Sequence, residues 1–231
     1  MKRKITIAID GFSSTGKSTI AKQLAKQLGY VYVDTGAMYR AVTLYAMQQK
    51  IIDKDNFKID KLVNDLDKIN LKFIFNKEKG FAQMHLNGVN VEKEIRSMDV
   101  SRLVSKVATI SEVRRKLVSQ QQIMGKDKGV VMDGRDIGTV VFKDAELKLF
   151  MTASPEKRAT RRYKELLDRG DDVNFEEILE NVKYRDHIDS TREDSPLVKA
   201  DDAVDFDNSN MGLEEQFERI YNLALEIIVE E

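Results

Sequence analysis

The sequence predicts an α/β fold: a central parallel sheet flanked by helices, with an inserted small antiparallel β subdomain on the substrate side and a short helical lid. Three observations predict it. Apolar runs suited to buried strands alternate with helix-like stretches at both ends of the chain, the order that builds parallel sheets. Between residues 71 and 86 the pattern becomes two alternating strands around a Gly-containing loop. Two consecutive helical stretches, from Ser154 to Arg192, then carry arginines at helical spacing.

The first strand is Ile5-Thr6-Ile7-Ala8-Ile9, and it runs into Gly11-Phe12-Ser13-Ser14-Thr15-Gly16-Lys17-Ser18-Thr19. That stretch is G-x-x-x-x-G-K-[ST], the P-loop, placed between a strand and a helix ending near Leu28 as its mechanism requires. The glycines let the backbone turn so that successive N–H groups and a helix N-terminus face one anionic point, where a nucleotide's phosphates sit. Lys17 adds a cation there, and Ser18 offers a hydroxyl to Mg²⁺.

Tyr30 to Asp34 reads as a second strand, and Thr35-Gly36-Ala37-Met38-Tyr39-Arg40 opens a helix to about Gln49. Ligands of open parallel sheets lie beyond the strands' carboxyl ends, which places Asp34, Thr35 and Arg40 on the P-loop edge. Thr35 as a helix cap and Arg40 as a solvated charge fit equally well. Asp60 to Ile69 has helical spacing, and the hairpin follows. His85 has no recognisable partner and reads as part of one hairpin face. Val91 to Gly125 is mostly helical, with Arg96, Arg102, Ser105 and Arg114 as its polar candidates.

Val130-Val131-Met132 reads as a buried strand ending in Asp133-Gly134-Arg135-Asp136. Asp133 at such an end suits Mg²⁺ opposite Ser18, although a turn-forming Asp-Gly explains it too. Glu146 to Met151 is a further strand. Ser154-Pro155 caps a helix with Arg158, Arg161 and Arg162 on one face. Asn174 opens the next, with Arg185, Asp189 and Arg192 as a stripe. Each stripe is either a solvated face pairing with Glu165, Asp186 or Glu193, or part of a lid closing over phosphates. Ala203 to Phe206 reads as an edge strand and Leu213 to Val229 as an amphipathic helix.

The balance of 38 basic and 39 acidic residues excludes a general nucleic-acid-coating surface. With no cysteine there is no disulfide frame, thiolate metal site or thiol nucleophile. The basic start Met1-Lys2-Arg3-Lys4 precedes an apolar run cut short by Asp10, and no apolar stretch nears the roughly 20 residues of a membrane span. The expectation is a cytoplasmic monomer with no membrane or nucleic-acid partner, acting on small molecules. A GTPase would carry N-K-x-D, and the nearest match, Asn76-Lys77-Glu78-Lys79, lacks the Asp. The arginine surplus suits a small kinase, which must clamp two anionic substrates and exclude water.

Gly11 to Thr19, Asp34 to Arg40, Glu94-Ile95-Arg96, Asp133-Gly134-Arg135-Asp136-Ile137-Gly138-Thr139-Val140-Val141-Phe142, Arg158 to Arg162 and Ser195-Pro196-Leu197 together resemble the bacterial cytidylate kinases of the long type. The resemblance spans nearly the whole chain. It implies one kinase domain over 1–231, with a nucleoside-monophosphate-binding region at about 35–100 and a lid at about 158–196. The implied reaction moves the γ-phosphoryl group of Mg·ATP to CMP or dCMP. Residues 11–19 would bind ATP, with Lys17, Arg158 and Arg162 around the transferring group and Ser18, with Asp133, at the metal. Arg40, Arg135 and Arg192 would clamp the CMP phosphate, with Thr35 beside them. Ser105, Arg114 and Asp136 would read cytosine, and Arg185 with Asp189 the ribose. Phe12 stands where the family usually has Pro, and Thr35 where Ser is common. The rival readings are another small-molecule P-loop kinase, acting on UMP, AMP or a metabolite, and a nucleotide-dependent switch or binding module.

Overall fold

A computed structural model of the chain describes residues 3–229. Met1 and Lys2 of the basic start lie outside them. Among the described residues the elements run β1 (Thr6–Gly11), α1 (Lys17–Leu28), β2 (Val31–Asp34), α2 (Thr35–Gln48), α3 (Ile59–Asn64), β3 (Leu71–Asn76), β4 (Phe81–Leu86), β5 (Val89–Asn90), α4 (Met98–Val107) and α5 (Ser111–Met124). They continue with β6 (Val130–Gly134), β7 (Leu147–Thr152), α6 (Pro155–Asp168), α7 (Phe175–Thr191), β8 (Val204–Asp207) and α8 (Leu213–Val229). The chain divides into two compact units, one formed by the residues up to Val33 and from Met124 onward, the other by Asp34–Ile123.

The first unit is built on a parallel sheet of five strands in the order β2-β6-β1-β7-β8. β1 is central: Ile7 lies opposite Val131 of β6 on one side and Leu147 of β7 on the other. Helices cover both faces of such a sheet, so β1 carries the apolar run Ile7-Ala8-Ile9 rather than alternation, and its six residues are all buried. Each fully buried isoleucine contributes about 1.5–3 kcal/mol. Ile20 and Leu24 of α1 and Ile220, Ala224 and Ile228 of α8 join these strands in one core. β8 forms the edge, as its short exposed pattern predicts.

The sheet delivers the carboxyl ends of β1 and β6 side by side, with Asp10 opposite Gly134. At the end of β1 the register sets Gly11 against Met151. A Cβ there would lie 2.0 Å from the Met151 carbonyl oxygen, and φ is +141°, so only glycine fits.

The second unit packs Met38 and Val42 of α2 with Val104 of α4 and Val113 and Leu117 of α5. A three-stranded antiparallel sheet, β3-β4-β5, adds Leu71, Met84 and Leu86. The predicted hairpin is present, and a third strand follows it through Asn87-Gly88, both at positive φ. Asn-Gly is a strong two-residue hairpin turn, but two residues of strand are too short to show as alternation. The expected helix over 60–69 is cut at Asn64 and resumes as a single tight turn, Leu66–Lys68. The helical stretch from 91 is divided after Val107, where the Thr109 hydroxyl donates to the Lys106 carbonyl at 2.8 Å. Side chains that bond the local backbone in this way compete with helix continuation.

Caps follow the sequence reading at α6 and α7: Ser154 accepts from the Lys157 N–H and Asn174 from the Glu177 N–H. At α2 the cap is Asp34, accepting from the Ala37 N–H at 2.8 Å, and Thr35 is the first helical residue. His85 is half-buried on β4, its ring Nδ1 3.2 Å from the Gln83 carbonyl oxygen, in keeping with a hairpin face.

Candidate active site

The P-loop leaves β1 and enters α1 through Ser14 at φ +60° and Gly16 at φ +92°. Left-handed residues interspersed with right-handed ones curl the chain into a concave row of N–H groups, a preformed anion site. Among the described residues the buried Ser13 hydroxyl has no hydrogen-bond partner. Buried polar groups are nearly always satisfied, so this one fits an oxygen arriving with a ligand. The Lys17 ammonium is folded back over the loop, donating to the Phe12 carbonyl at 2.5 Å and lying 3.3 Å from the Thr15 hydroxyl. Burial lowers its pKa well below the usual lysine value and the Arg135 charge adds to this, against Asp133 and Asp10. An anionic phosphate relieves that stress.

Ser18 on α1 donates to one carboxylate oxygen of Asp133 at 2.9 Å, and the Tyr32 hydroxyl from β2 donates to the other at 2.8 Å. Two hard oxygen donors beside a phosphate cradle suit Mg²⁺, which binds through one or two protein oxygens and the phosphates of its substrate. Among the described residues no group of three or more His, Asp or Glu side chains is arranged to hold a metal alone. Tyr32 escaped the sequence reading because an aromatic in a strand signals packing first.

Beyond β6 the chain turns through Arg135 and Asp136 into one wide helical turn, Ile137–Val141. Both oxygens of buried Asp10 accept from this turn, from the Ile137 and Gly138 N–H groups at 2.8 Å each. Burial raises Asp10 to about 7 and Asp136 adds to the rise, while the two amides and Lys17 oppose it. A carboxyl raised on folding keeps its proton where the unfolded chain has lost it. Its stabilising contribution is therefore complete below about pH 4 and is lost as pH rises to about 7. Urea unfolding of wild type and Asp10→Asn across pH 4–8 measures this: the stability difference between them should narrow with rising pH, and a constant difference would assign Asp10 an ordinary titration. An acid ending the apolar run Ile5–Ile9 was the signal available in the sequence.

Arg135 donates through Nε to Asp189 of α7 at 2.8 Å. Burial pushes the Asp189 carboxyl up, but Arg135, Arg185 and Arg192 outweigh it and hold the group below the usual carboxylate range. Arg192, at the end of α7, lies 3.9 Å from Asp136 and donates to the Ser195 carbonyl at 2.8 Å. The Leu197 N–H bonds the Asp189 carbonyl, so Ser195-Pro196-Leu197 folds back onto α7. Arg135, Asp136, Asp189 and Arg192 thus form one cluster, with Arg185 close enough to act on Asp189.

The three arginines of α6 go to different partners. Arg158 is buried, donating to the Ala153 and Ser13 carbonyls and to both carboxylate oxygens of Asp186. Its guanidinium lies 5.1 Å from the centroid of Phe12, whose ring meets Phe150 edge-on. Arg161 reaches the Thr15 carbonyl and Asn208. Arg162 pairs with half-exposed Glu165 at 2.9 Å.

In the second unit, Asp34 binds Arg96 at 2.7 Å and lies 3.8 Å from Arg40. Burial raises the Asp34 carboxyl, and Arg96 with Arg40 more than reverses this, holding it far below the usual range. Thr35 and Ser105 are buried. Arg114 of α5 is 2 % exposed, donates to the Ala108 carbonyl at 3.2 Å, and lies 5.6 Å from the centroid of Tyr39. A guanidinium buried against an aromatic face is held in one orientation, as recognition of a planar group requires.

Parallel sheet, P-loop, and a hydroxyl–carboxylate pair on neighbouring elements define a P-loop protein built to hold nucleotide phosphates. Residues 7–226 match the family described as Cytidylate kinase. The chain is 63% identical to the cytidylate kinase of Flavobacterium johnsoniae, over 98% of each chain. It is 61% identical to that of Flavobacterium psychrophilum, over 96% of this chain and 98% of the relative. With that of Parabacteroides distasonis it shares 62% identity over 93% of each. The chain belongs to the cytidylate kinase family.

Proposed function

We infer that this chain is a CMP kinase, transferring the γ-phosphoryl group of ATP to the 5′-phosphate of CMP to give CDP and ADP. One observation carries the reading beyond family membership. The P-loop and the turn carrying Arg135 leave the carboxyl ends of two hydrogen-bonded strands, β1 and β6, which supports donor and acceptor phosphates meeting beyond one sheet edge. dCMP serves as a second acceptor.

Residues 11–19 bind the ATP phosphates through loop amides. Lys17 exchanges its Phe12 carbonyl for a phosphate oxygen and stabilises charge as the γ-phosphoryl passes through a metaphosphate-like state. Ser18, with Asp133, would hold Mg²⁺, which supplies positive charge to the donor phosphates. Arg135 and Arg192, with Arg40 and Thr35, take the CMP phosphate. That phosphate is already anionic at neutral pH, so the attack needs no general base. Asp136 accepts from the cytosine amino group, while Arg114 and Ser105 complete base recognition. Uracil presents an acceptor at the amino position, a mismatch costing roughly 1–3 kcal/mol when buried. Arg185 and Asp189 bind the sugar. Arg158 and Arg162 face the transferring group once the lid helices α6 and α7 close and Asp186 and Glu165 release them.

We further propose one kinase domain, with a monophosphate-binding region at about 35–100 and a lid at about 158–196. The reading carries with it a monomer acting in the cytoplasm, where both substrates are metabolites. Among the described residues no helix is long and apolar enough to cross a membrane. A coupled ADP-release assay with Mg·ATP and, separately, CMP, dCMP, UMP, AMP and GMP tests the reading. Turnover led by CMP and dCMP is expected. Turnover led by another acceptor would discard the base pocket, and ATP hydrolysis indifferent to all five would point to a switch module.

A further inference from the structure

We propose that Asn208 and Arg161 are positioning residues of the phosphate cradle, aiming a P-loop amide at the nucleotide by holding the Thr15 carbonyl from outside the loop. The proposal rests on residues 11–19 being the ATP site. Asn208 follows β8 and is fully buried. Its Nδ2 donates to the Thr15 carbonyl and to Gln216 Oε1, each at 2.7 Å. Its Oδ1 accepts from Arg161 at 3.0 Å, its own carbonyl accepts from Arg161 at 2.8 Å, and its N–H bonds the Thr152 carbonyl. Arg161 donates directly to the Thr15 carbonyl as well, at 3.1 Å.

Every polar group of this buried amide is therefore used, and two donors converge on one carbonyl. In a planar trans peptide the C=O and the following N–H point in opposite directions. Pinning the Thr15 carbonyl toward Asn208 and Arg161 turns the Gly16 N–H to the other side of the loop, the side that receives phosphate. Gly16, at φ +92°, follows the pinned peptide, and without external partners so permissive a residue could let it rotate. Arg158 also holds the Ser13 carbonyl at 3.2 Å in this arrangement, before the move to the transferring group proposed above. The cradle is thus shaped from behind by α6 and by the segment after β8. Neither Asn208 nor Arg161 is assigned a contact with the nucleotide; both act through the Thr15 carbonyl.

Calorimetric titration of the full chain with Mg·ATP, Mg·ADP and CMP separates this role from a general structural one. Asn208→Ala, which changes no charge, should raise the Kd of ATP and ADP about tenfold or more while leaving that of CMP within twofold. Arg161→Gln, on a partly exposed helix face, should move both donor nucleotides in the same direction and keeps the question open should Asn208→Ala not fold. Wild-type ATP affinity in a folded Asn208→Ala, or an equal loss for CMP and ATP, would overturn the proposal. Failure of the wild-type protein to bind ATP would overturn the ATP-site reading instead.

Discussion

Lys17→Ala should lower kcat/KM by roughly 30- to 1000-fold, about 2–4 kcal/mol of transition-state stabilisation, without lowering the melting temperature. The two halves of this expectation have one origin. Lys17 is buried against its own loop, with desolvation and Arg135 both opposing its charge, so the free protein gains little from it. On the proposed reading, phosphate supplies the missing anion. The charge is then matched only when nucleotide is bound, and best when negative charge spreads over the transferring group. Steady-state kinetics and a thermal melt check both parts. Unchanged kcat/KM would remove Lys17 from the phosphates; a melting temperature that falls by many degrees would make it a structural residue.

Arg135→Ala should cut kcat/KM for CMP by at least 100-fold while the Kd of Mg·ATP stays within about threefold. Arg135 follows the end of β6 and its Nε is committed to Asp189, which on the proposed reading leaves Nη2 and one hydrogen of Nη1 to meet a phosphate. The other hydrogen of Nη1 goes to the Gly134 carbonyl at 3.2 Å, which fixes the plane of the guanidinium. Removal takes away the proposed clamp and also weakens the cationic surroundings of Asp189, although Arg185 and Arg192 remain. Arg135→Lys should recover only part of the loss, because a point charge cannot bind two oxygens while keeping Asp189 in place. If ATP affinity fell as far as CMP turnover, the clamp assignment would be wrong.

Sequence reading captures what is local or periodic. The P-loop, the caps at Ser154 and Asn174, the hairpin and the unbroken apolar strands each carry their cause within a few residues. Partners distant along the chain are another matter. That Asp10 would receive two amides from residues 137 and 138, or Asn208 the carbonyl of Thr15, depends on which strands become neighbours, and no local pattern announces it. The α6 stripe illustrates the limit. Spacing places Arg158, Arg161 and Arg162 on one helix, but burial against the P-loop, the segment after β8 and solvent sends each to a different partner.

The position of β1 also bears on how the protein is made. Both strands that pair with it come more than 110 residues later, so a ribosome releases the sheet's centre long before either edge can be satisfied. At about 5–20 residues per second that interval is on the order of 10 s, during which an apolar strand waits unpaired. The second unit, by contrast, is continuous in sequence and its contacts close over shorter loops, which favours early formation. Pulsed hydrogen exchange during refolding should find amides of α2 and β4 protected before those of β1; simultaneous protection would mean the two units fold as one.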